Sequence, residues 1–207
     1  MVMSLDRLIL DYDLKIRGVL HIGAHWGEEQ PDYAKHGVKN MIFFEPVKAN
    51  YEMLLDYLPG DDGIKTFNIA LGNEVGTREM FTETANRGQS CSLLEPDLHL
   101  SQYPRIRFDD KEVVVINKLD NIEFDRMLYN MINIDVQGYE LEVFRGAVGT
   151  LKNIDIIYSE VNRDEVYKEC ARVEQLDAFL DTFGFIRVET DWIGKTWGDA
   201  LYLKKNA

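Results

Sequence analysis

A glycine-rich pentapeptide follows the first apolar run of the chain. Gly23-Ala24-His25-Trp26-Gly27 comes directly after residues 19–22 and precedes a segment that we expect to be helical. Glycines at such a turn let the main chain bend sharply and approach a ligand, and the first N–H groups of a helix attract an anionic group. The arrangement is typical of a site for a nucleotide-like ligand.

A carboxylate stands at the end of the second apolar run. Glu45 follows residues 41–44 and lies 22 residues after Gly23 (45 minus 23). A carboxylate in this position can accept hydrogen bonds from both ribose hydroxyls of an adenosine. The alternative to a ligand site is that the glycines only tighten a strand-to-helix turn and that Glu45 is a solvated residue at the end of a strand. His25 occupies the place of the second glycine in the dinucleotide fingerprint GxGxxG, which argues against a nicotinamide dinucleotide and favours S-adenosylmethionine.

Three side chains are candidates for removing a proton from a hydroxyl, which is a weak nucleophile while protonated. Asp135 and Glu160 stand at the ends of neighbouring predicted strands, and His99 lies in the connecting region. Asp135 and Glu160 could alternatively hold a divalent cation such as Mg²⁺ that orients a substrate hydroxyl. Asp135 could also be a helix N-cap, and His99 an exposed loop residue.

Short apolar runs alternate with helical patterns, which predicts an α/β protein with a parallel sheet covered by helices. In residues 50–58 the apolar side chains at 51, 54, 55 and 58 fall on one helical face. The last two runs are joined by a glycine-containing turn, which predicts a terminal hairpin and one antiparallel edge. Strands are predicted at 19–22, 41–44, 64–69, 131–136, 154–158, 185–190 and 200–203, with extra strands at 79–82 and 113–116; helices are predicted at 50–58, at 140–151 and around 176–183, and a loop at 84–92.

Composition and charge exclude several function classes. The formal net charge is −13, which disfavours nucleic acid and anionic membrane surfaces as partners. No segment approaches the roughly 18 apolar residues of a membrane span. Two widely spaced cysteines and charges within residues 1–10 predict a cytoplasmic protein with reduced thiols.

Several motifs together resemble the FkbM-type methyltransferases, over residues 18–203. The most specific is Ile132-Asn-Ile-Asp-Val-Gln-Gly-Tyr-Glu140, and the others are residues 21–27, 45–46, 70–72, 90–94 and 119–120. The resemblance implies a Rossmann-like class I methyltransferase fold: a mixed, mostly parallel seven-stranded sheet with an antiparallel last strand and helices on both faces. It also implies S-adenosylmethionine as cofactor and O-methylation of a hydroxyl on a small glycan or natural-product intermediate.

The resemblance also assigns roles to residues. Asp135 should face the reacting centre. His21 stands where many members carry an acid, so the contact to the amino group of the cofactor is either missing or made by Glu28 or Asp135 instead, and Asn133 stands where a lysine is usual. The expected cofactor contacts are Gly23, Ala24, His25 and Gly27 at the methionine portion, Glu45 with Pro46 at the ribose, Ala70 and Leu71 at the adenine, and Ser92 and Asp135.

We therefore expect one methyltransferase domain over residues 1–207. Within it, residues 1–17 would form an N-terminal helical extension, and residues 73–117 an insertion on the substrate side. The expected partner is a small-molecule hydroxyl acceptor, with no nucleic acid and no membrane. Two other hypotheses stay open: a nicotinamide-dependent oxidoreductase on a similar sheet, and a methyltransferase-like binding module that has lost its chemistry.

Overall fold

The computed structural model describes residues 3–205 of the chain. The strands are β1 (Gly18–Ile22), β2 (Asn40–Phe44), β3 (Ile64–Phe67), β4 (Ala70–Leu71), β5 (Gly76–Thr82), β6 (Asp110–Asn117), β7 (Met131–Ile134), β8 (Ile156–Asn162), β9 (Phe185–Ile193) and β10 (Trp197–Lys204). The α-helices are α1 (Leu5–Tyr12), α2 (Gln30–Lys35), α3 (Lys48–Tyr57), α4 (Leu98–Gln102), α5 (Glu140–Arg145) and α6 (Val173–Asp181), and single 3₁₀ turns lie at Leu119–Asn121, Arg126–Leu128 and Thr150–Asn153.

Seven strands form the central sheet in the order β3-β2-β1-β7-β8-β10-β9. The first five are parallel to one another, and β10 runs antiparallel to both β8 and β9. The mixed, mostly parallel sheet and the terminal hairpin are as predicted. The antiparallel edge is also as predicted: β10, the last strand, inserts antiparallel between β8 and β9, and β9 is the outermost strand of the hairpin.

Apolar side chains cover both faces of the sheet, which is why its strands read as continuous hydrophobic runs. Along β1, Val19 packs into the core beneath α1, α2 and α3, whereas Leu20 packs into the core beneath α5 and α6. The two faces therefore have separate cores, and the strand ends between them are left to loops.

A second sheet of three strands, in the order β4-β6-β5, packs on the α5 side through Met80, Val114 and Ile116. It contains the two extra predicted strands. Ala70 and Leu71 were expected at the end of a strand over residues 64–69. Instead β3 ends at Phe67, and Ala70–Leu71 pairs with β6 as β4.

Two further predicted boundaries and one residue of a predicted helix face differ from the structure. The helix predicted at 140–151 ends at Arg145, because Gly146 lies against Gly72: a Cβ on Gly146 would be 1.9 Å from the Gly72 carbonyl oxygen. The strand predicted at 131–136 ends at Ile134. In α3, Leu55 does not share the buried face, since its side chain is 50% exposed.

Within residues 3–205, no helix has both the length and the apolar character that crossing a bilayer requires. The division into one domain with an N-terminal extension and a substrate-side insertion stays a prediction, and its residues 1, 2, 206 and 207 lie outside the described residues.

Candidate functional site

A cavity of about 610 Å³ opens at the carboxyl ends of β1, β2 and β7 and reaches along β8. This is the edge at which open parallel sheets bind ligands, and the volume is in the range of small-molecule sites. Most of the predicted site residues line it: Gly23, Ala24, His25, Glu28, Glu45, Pro46, Ala70, Leu71, His99, Asp135 and Glu160.

The glycine turn forms the first wall of the cavity. The N–H groups of Gly23 and Ala24 donate to the carbonyl oxygen of Phe44 at 2.9 and 3.0 Å, which joins the turn to the end of β2. Gly23 has φ +76°, and a Cβ there would lie 1.8 Å from the Asp135 carbonyl oxygen. Only glycine therefore lets the turn approach the loop after β7. The helix expected directly after the turn begins only at Gln30.

Glu45 is fixed to this turn by backbone hydrogen bonds. Its Oε2 accepts from the N–H of His25 at 2.9 Å, and its Oε1 accepts from the N–H of Val47 at 2.8 Å. The side chain is buried, which raises the pKa of Glu45 to about 7 although the two N–H donors lower it. Each oxygen of a carboxylate has a further acceptor position, so the group can still receive ligand hydroxyls.

His25 connects the glycine turn to the loop at residues 84–92. Its Nδ1 lies 2.8 Å from Oε1 of Glu28, and its Nε2 lies 2.9 Å from the carbonyl oxygen of Arg87. Burial alone would lower the pKa of His25, but these two hydrogen bonds raise it above its usual value. The imidazole is thus held as a structural bridge between the glycine turn and the loop at residues 84–92.

Carboxyl groups form the opposite wall. Oxygen atoms of Asp135, Glu140 and Glu160 lie within 4.8 Å of one another. Asp135 is open to the cavity, whereas Glu140 and Glu160 are buried. Burial and the nearby charge of Asp135 raise the pKa of Glu160 well above its usual range. Desolvation also raises the pKa of Asp135 above its usual value, and hydrogen bonds with Gln137 and Glu160 offset only part of this rise. Glu160 is therefore the member of this pair that carries a proton.

The three carboxyl groups lie close enough together to hold a metal ion, and each of them also accepts hydrogen bonds from the protein. Oε1 of Glu140 accepts from the N–H groups of Val136 and Gly138 at 3.0 and 3.1 Å, and Gln137 donates to the other two carboxyl groups. Mg²⁺ binding stays a prediction, and we derive no chemical step through it.

His99 lies inside the protein and not on an exposed loop. Its ring is buried in α4 between the rings of Tyr103, Phe108 and Tyr167, at centroid distances of 5.1, 5.1 and 5.4 Å. Burial lowers the pKa of His99, so the imidazole is neutral near pH 7. Its Nδ1 is buried without a hydrogen-bond partner among the described residues. A histidine that acts as a base through Nε2 carries its proton on Nδ1. Among the described residues no acceptor is present to hold that proton on Nδ1 of His99.

The two positions at which the chain departs from the FkbM pattern are direct neighbours. His21 on β1 pairs in register with Asn133 on β7. Nδ2 of Asn133 lies 3.3 Å from Nε2 of His21 and donates to the hydroxyl of Tyr33 at 2.6 Å. Burial lowers the pKa of His21, so the contact joins neutral groups at the end of the cavity.

Two predicted cofactor contacts do not line the cavity. Gly27 packs against α3, where a Cβ on it would lie 2.7 Å from Cδ1 of Leu54. Ser92 is fully buried behind the wall, and its Oγ donates to the carbonyl oxygen of Gln137 at 2.8 Å. Both residues support the walls of the cavity from behind.

Sequence reasoning missed several lining residues. Gln137 lies inside the most specific motif, which is the signal that could have identified it. Tyr158 precedes Glu160 by two positions on β8, so strand periodicity puts both side chains on one face. Asp199 is the register partner of Glu160 on β10. Because that pairing joins distant parts of the chain, no local sequence pattern identifies Asp199 as a neighbour of Glu160.

Comparisons with known proteins agree with this architecture. A 158-residue segment is 27% identical to the 2-O-methyltransferase NoeI of Sinorhizobium fredii (strain NBRC 101917 / NGR234), covering 72% of this chain and 65% of that protein, less than two thirds of its length.

Two solved structures are similar in fold. One is Sp1610 of Streptococcus pneumoniae, a proposed tRNA (m1A22) methyltransferase in complex with S-adenosyl-L-methionine (TM-score 0.53, 15% identity, 99% of this chain and 75% of that chain). The other is magnesium protoporphyrin IX methyltransferase (ChlM) from Synechocystis PCC 6803 with bound S-adenosylmethionine (TM-score 0.55, 9% identity, 97% and 76%). The Rossmann-like class I fold is therefore confirmed.

The family follows from a match over most of the chain. Residues 21–187 match the methyltransferase FkbM domain, and this range contains the glycine turn, Glu45, and the carboxyl wall. The chain belongs to the FkbM methyltransferase family.

Proposed function

We propose that this protein is an S-adenosylmethionine-dependent methyltransferase that methylates a hydroxyl group of a small, uncharged acceptor, such as a sugar unit or a natural-product intermediate. The observation that carries the proposal is the pairing of Glu45 with the N–H of His25 at 2.9 Å. It places a fixed carboxylate beside bare main chain at the mouth of two parallel strands, which suits a ribose next to an amino-acid portion.

The cavity offers a contact for each part of the cofactor. Main chain at Gly23, Ala24 and His25 would face the methionine portion, Glu45 and Pro46 the ribose, and Ala70 and Leu71 the adenine. Glu28 lines the same wall and is our candidate for the amino group, since His21 is engaged with Asn133.

S-adenosylmethionine supplies an activated methyl group: the acceptor oxygen forms the new C–O bond, the C–S bond breaks with its electron pair going to sulfur, and the hydroxyl proton must leave. Asp135 is the base we favour, because it is open to the cavity and lies at the end of β7. Glu160 holds a proton beside it. The neutral, unsupported imidazole of His99 is better suited to shaping the acceptor pocket.

The charge of the cavity argues for an acceptor without phosphate groups. Among its lining residues there is no lysine or arginine, whereas carboxyl groups come from Glu28, Glu29, Glu45, Asp135, Glu160 and Asp199. A phosphate or nucleic acid would meet like charge there, and the net charge of −13 adds to this repulsion.

The name of NoeI, a 2-O-methyltransferase, supports oxygen as the acceptor atom. The free cysteines Cys91 and Cys170 support a reducing, cytoplasmic location.

Isothermal titration calorimetry with S-adenosylmethionine tests the proposal. We expect binding to the wild type and, for Glu45→Ala, an affinity at least about tenfold weaker, since hydrogen bonds to a charged group contribute about 1.5–3 kcal/mol each. The matched control is Glu52→Ala, which removes an exposed glutamate from α3 and should bind like the wild type. Absence of binding to the wild type would refute the proposal.

The two rival hypotheses give other results. A nicotinamide-dependent oxidoreductase would bind NADH in a fluorescence titration, where we expect no binding. A binding module without chemistry would bind S-adenosylmethionine but transfer no methyl group to any member of a broad panel of hydroxyl acceptors, with phosphorylated and unphosphorylated sugars compared directly.

A further inference from the structure

We propose that Gln137 is a positioning residue that holds Asp135 and Glu160 together as a proton-sharing pair on the acceptor side of the cavity. The inference rests on the proposed function, because that function gives the pair its task of receiving the acceptor proton.

A single amide group bridges the two carboxyl groups. Nε2 of Gln137 donates to Oδ1 of Asp135 at 2.7 Å and to Oε2 of Glu160 at 2.8 Å. An amide nitrogen carries two hydrogens, so both are used. The oxygen atoms of Asp135 and Glu160 lie within 4.8 Å of each other, so the two carboxylates repel each other when both are ionised. A shared proton and a shared hydrogen-bond donor relieve that repulsion.

The orientation of the amide is fixed from behind. Its Oε1 lies 2.8 Å from the hydroxyl of Tyr167, which shares its one hydrogen between this oxygen and the carbonyl oxygen of Ser90 at 2.9 Å, and the backbone carbonyl of Gln137 accepts from Oγ of Ser92 at 2.8 Å. A flipped amide would point Oε1 at the ionised carboxylate of Asp135. Gln137 also has φ +54°, a left-handed conformation that is unfavourable for a non-glycine residue. These contacts hold the residue in that conformation.

The bridge makes Gln137 a link between the carboxyl pair and the rest of the acceptor side. Ser92 belongs to the segment after β5, and Tyr167 to the segment after β8. In the hydrogen bonds described above, Ser92 and Tyr167 are connected to Asp135 and Glu160 through Gln137. Loss of the amide would leave Asp135 in place directly after β7 and Glu160 in place on β8, but it would remove the donor that favours the ionised form of Asp135.

Carbon-13 NMR of carboxyl-labelled protein tests the inference without an acceptor. Signals of Asp135 and Glu160 are assigned with Asp135→Asn and Glu160→Gln, and titrated in the wild type and in Gln137→Met, which keeps the side-chain length. We expect the pKa of Asp135 to rise by about one unit in Gln137→Met, because a donor to the ionised form is lost. Tyr167→Phe, which frees Oε1 of Gln137, should give a smaller shift in the same direction.

The control is Gln175→Met, which removes an exposed glutamine whose Oε1 accepts from the N–H of Arg172 at the start of α6. It should leave both titrations unchanged. The inference is wrong if Asp135 titrates alike in the wild type, Gln137→Met and Tyr167→Phe. Calorimetry with S-adenosylmethionine on the same samples separates this failure from failure of the proposed function, since Gln137→Met should keep the wild-type affinity within about twofold.

Discussion

Glu45 does two things at once. Its carboxylate closes the glycine turn through the N–H groups of His25 and Val47, and it presents its remaining acceptor positions to the cavity. Protonation would place a hydrogen on an oxygen that already accepts a backbone N–H. The ionised form is therefore the one that can also receive two ribose hydroxyls.

Cofactor binding should depend on pH through this residue. Because burial raises the pKa of Glu45 to about 7, the empty site is mostly protonated below that pH, and binding must release the proton. We expect the dissociation constant for S-adenosylmethionine, measured by calorimetry, to be about tenfold higher at pH 6 than at pH 8. In Glu45→Gln the affinity should be weaker and should lose this dependence. If Glu45→Gln showed a pH dependence of the same size, the pH dependence of cofactor binding would have to come from another titrating group.

The tight contact at Gly23 gives a prediction with a matched control. Gly23 and Gly37 have nearly the same φ, +76° and +75°, but a Cβ on Gly23 would meet the Asp135 carbonyl oxygen, while nothing lies within 4 Å of a Cβ on Gly37. Gly37→Ala should lower the free energy of unfolding by about 1 kcal/mol, the cost of the left-handed backbone. Gly23→Ala should lower it by more and also weaken cofactor binding. Denaturant unfolding and calorimetry measure both, and equal effects would contradict the account.

At the scale of elements, one motif residue has a structural task. Asp120 was among the residues that carry the resemblance to the family. Its carboxylate accepts from the N–H of Gly149 at 2.6 Å and from the N–H and Oγ1 of Thr150 at 2.8 and 2.7 Å. It thereby fixes the 3₁₀ turn at Thr150–Asn153, which follows the early end of α5.

Asp120→Ala should therefore reduce stability without touching the cofactor site. We expect the free energy of unfolding to fall by about 2 kcal/mol, within the range for losing a helix cap, with the affinity for S-adenosylmethionine unchanged. Asp125→Ala is the comparison: among residues 3–205 its exposed carboxylate accepts a hydrogen bond from the N–H of Met127 alone, so this substitution should cost less. A large loss of cofactor affinity in Asp120→Ala would show that the residue acts beyond this turn.

At the scale of the whole molecule, local patterns predicted more than long-range pairing did. The alternation of apolar runs and helical periods gave the α/β class, and the spacing of Gly23 and Glu45 gave two residues that now share one cavity wall. The place of β10 inside the sheet, the register partner Asp199, and the separate pairing of Ala70–Leu71 depend on contacts between distant segments. Ser92 was misplaced for the same reason, because its partner is 45 residues away along the chain.

The central claim is that the adenosyl cofactor lies between the glycine turn and the carboxyl wall. A crystal structure of the protein with S-adenosylhomocysteine tests it most directly. The account predicts both ribose hydroxyls within hydrogen-bonding distance of Glu45 and the sulfur facing Asp135 and Glu160. Density for the ligand outside this cavity, or a ribose that does not contact Glu45, would contradict it.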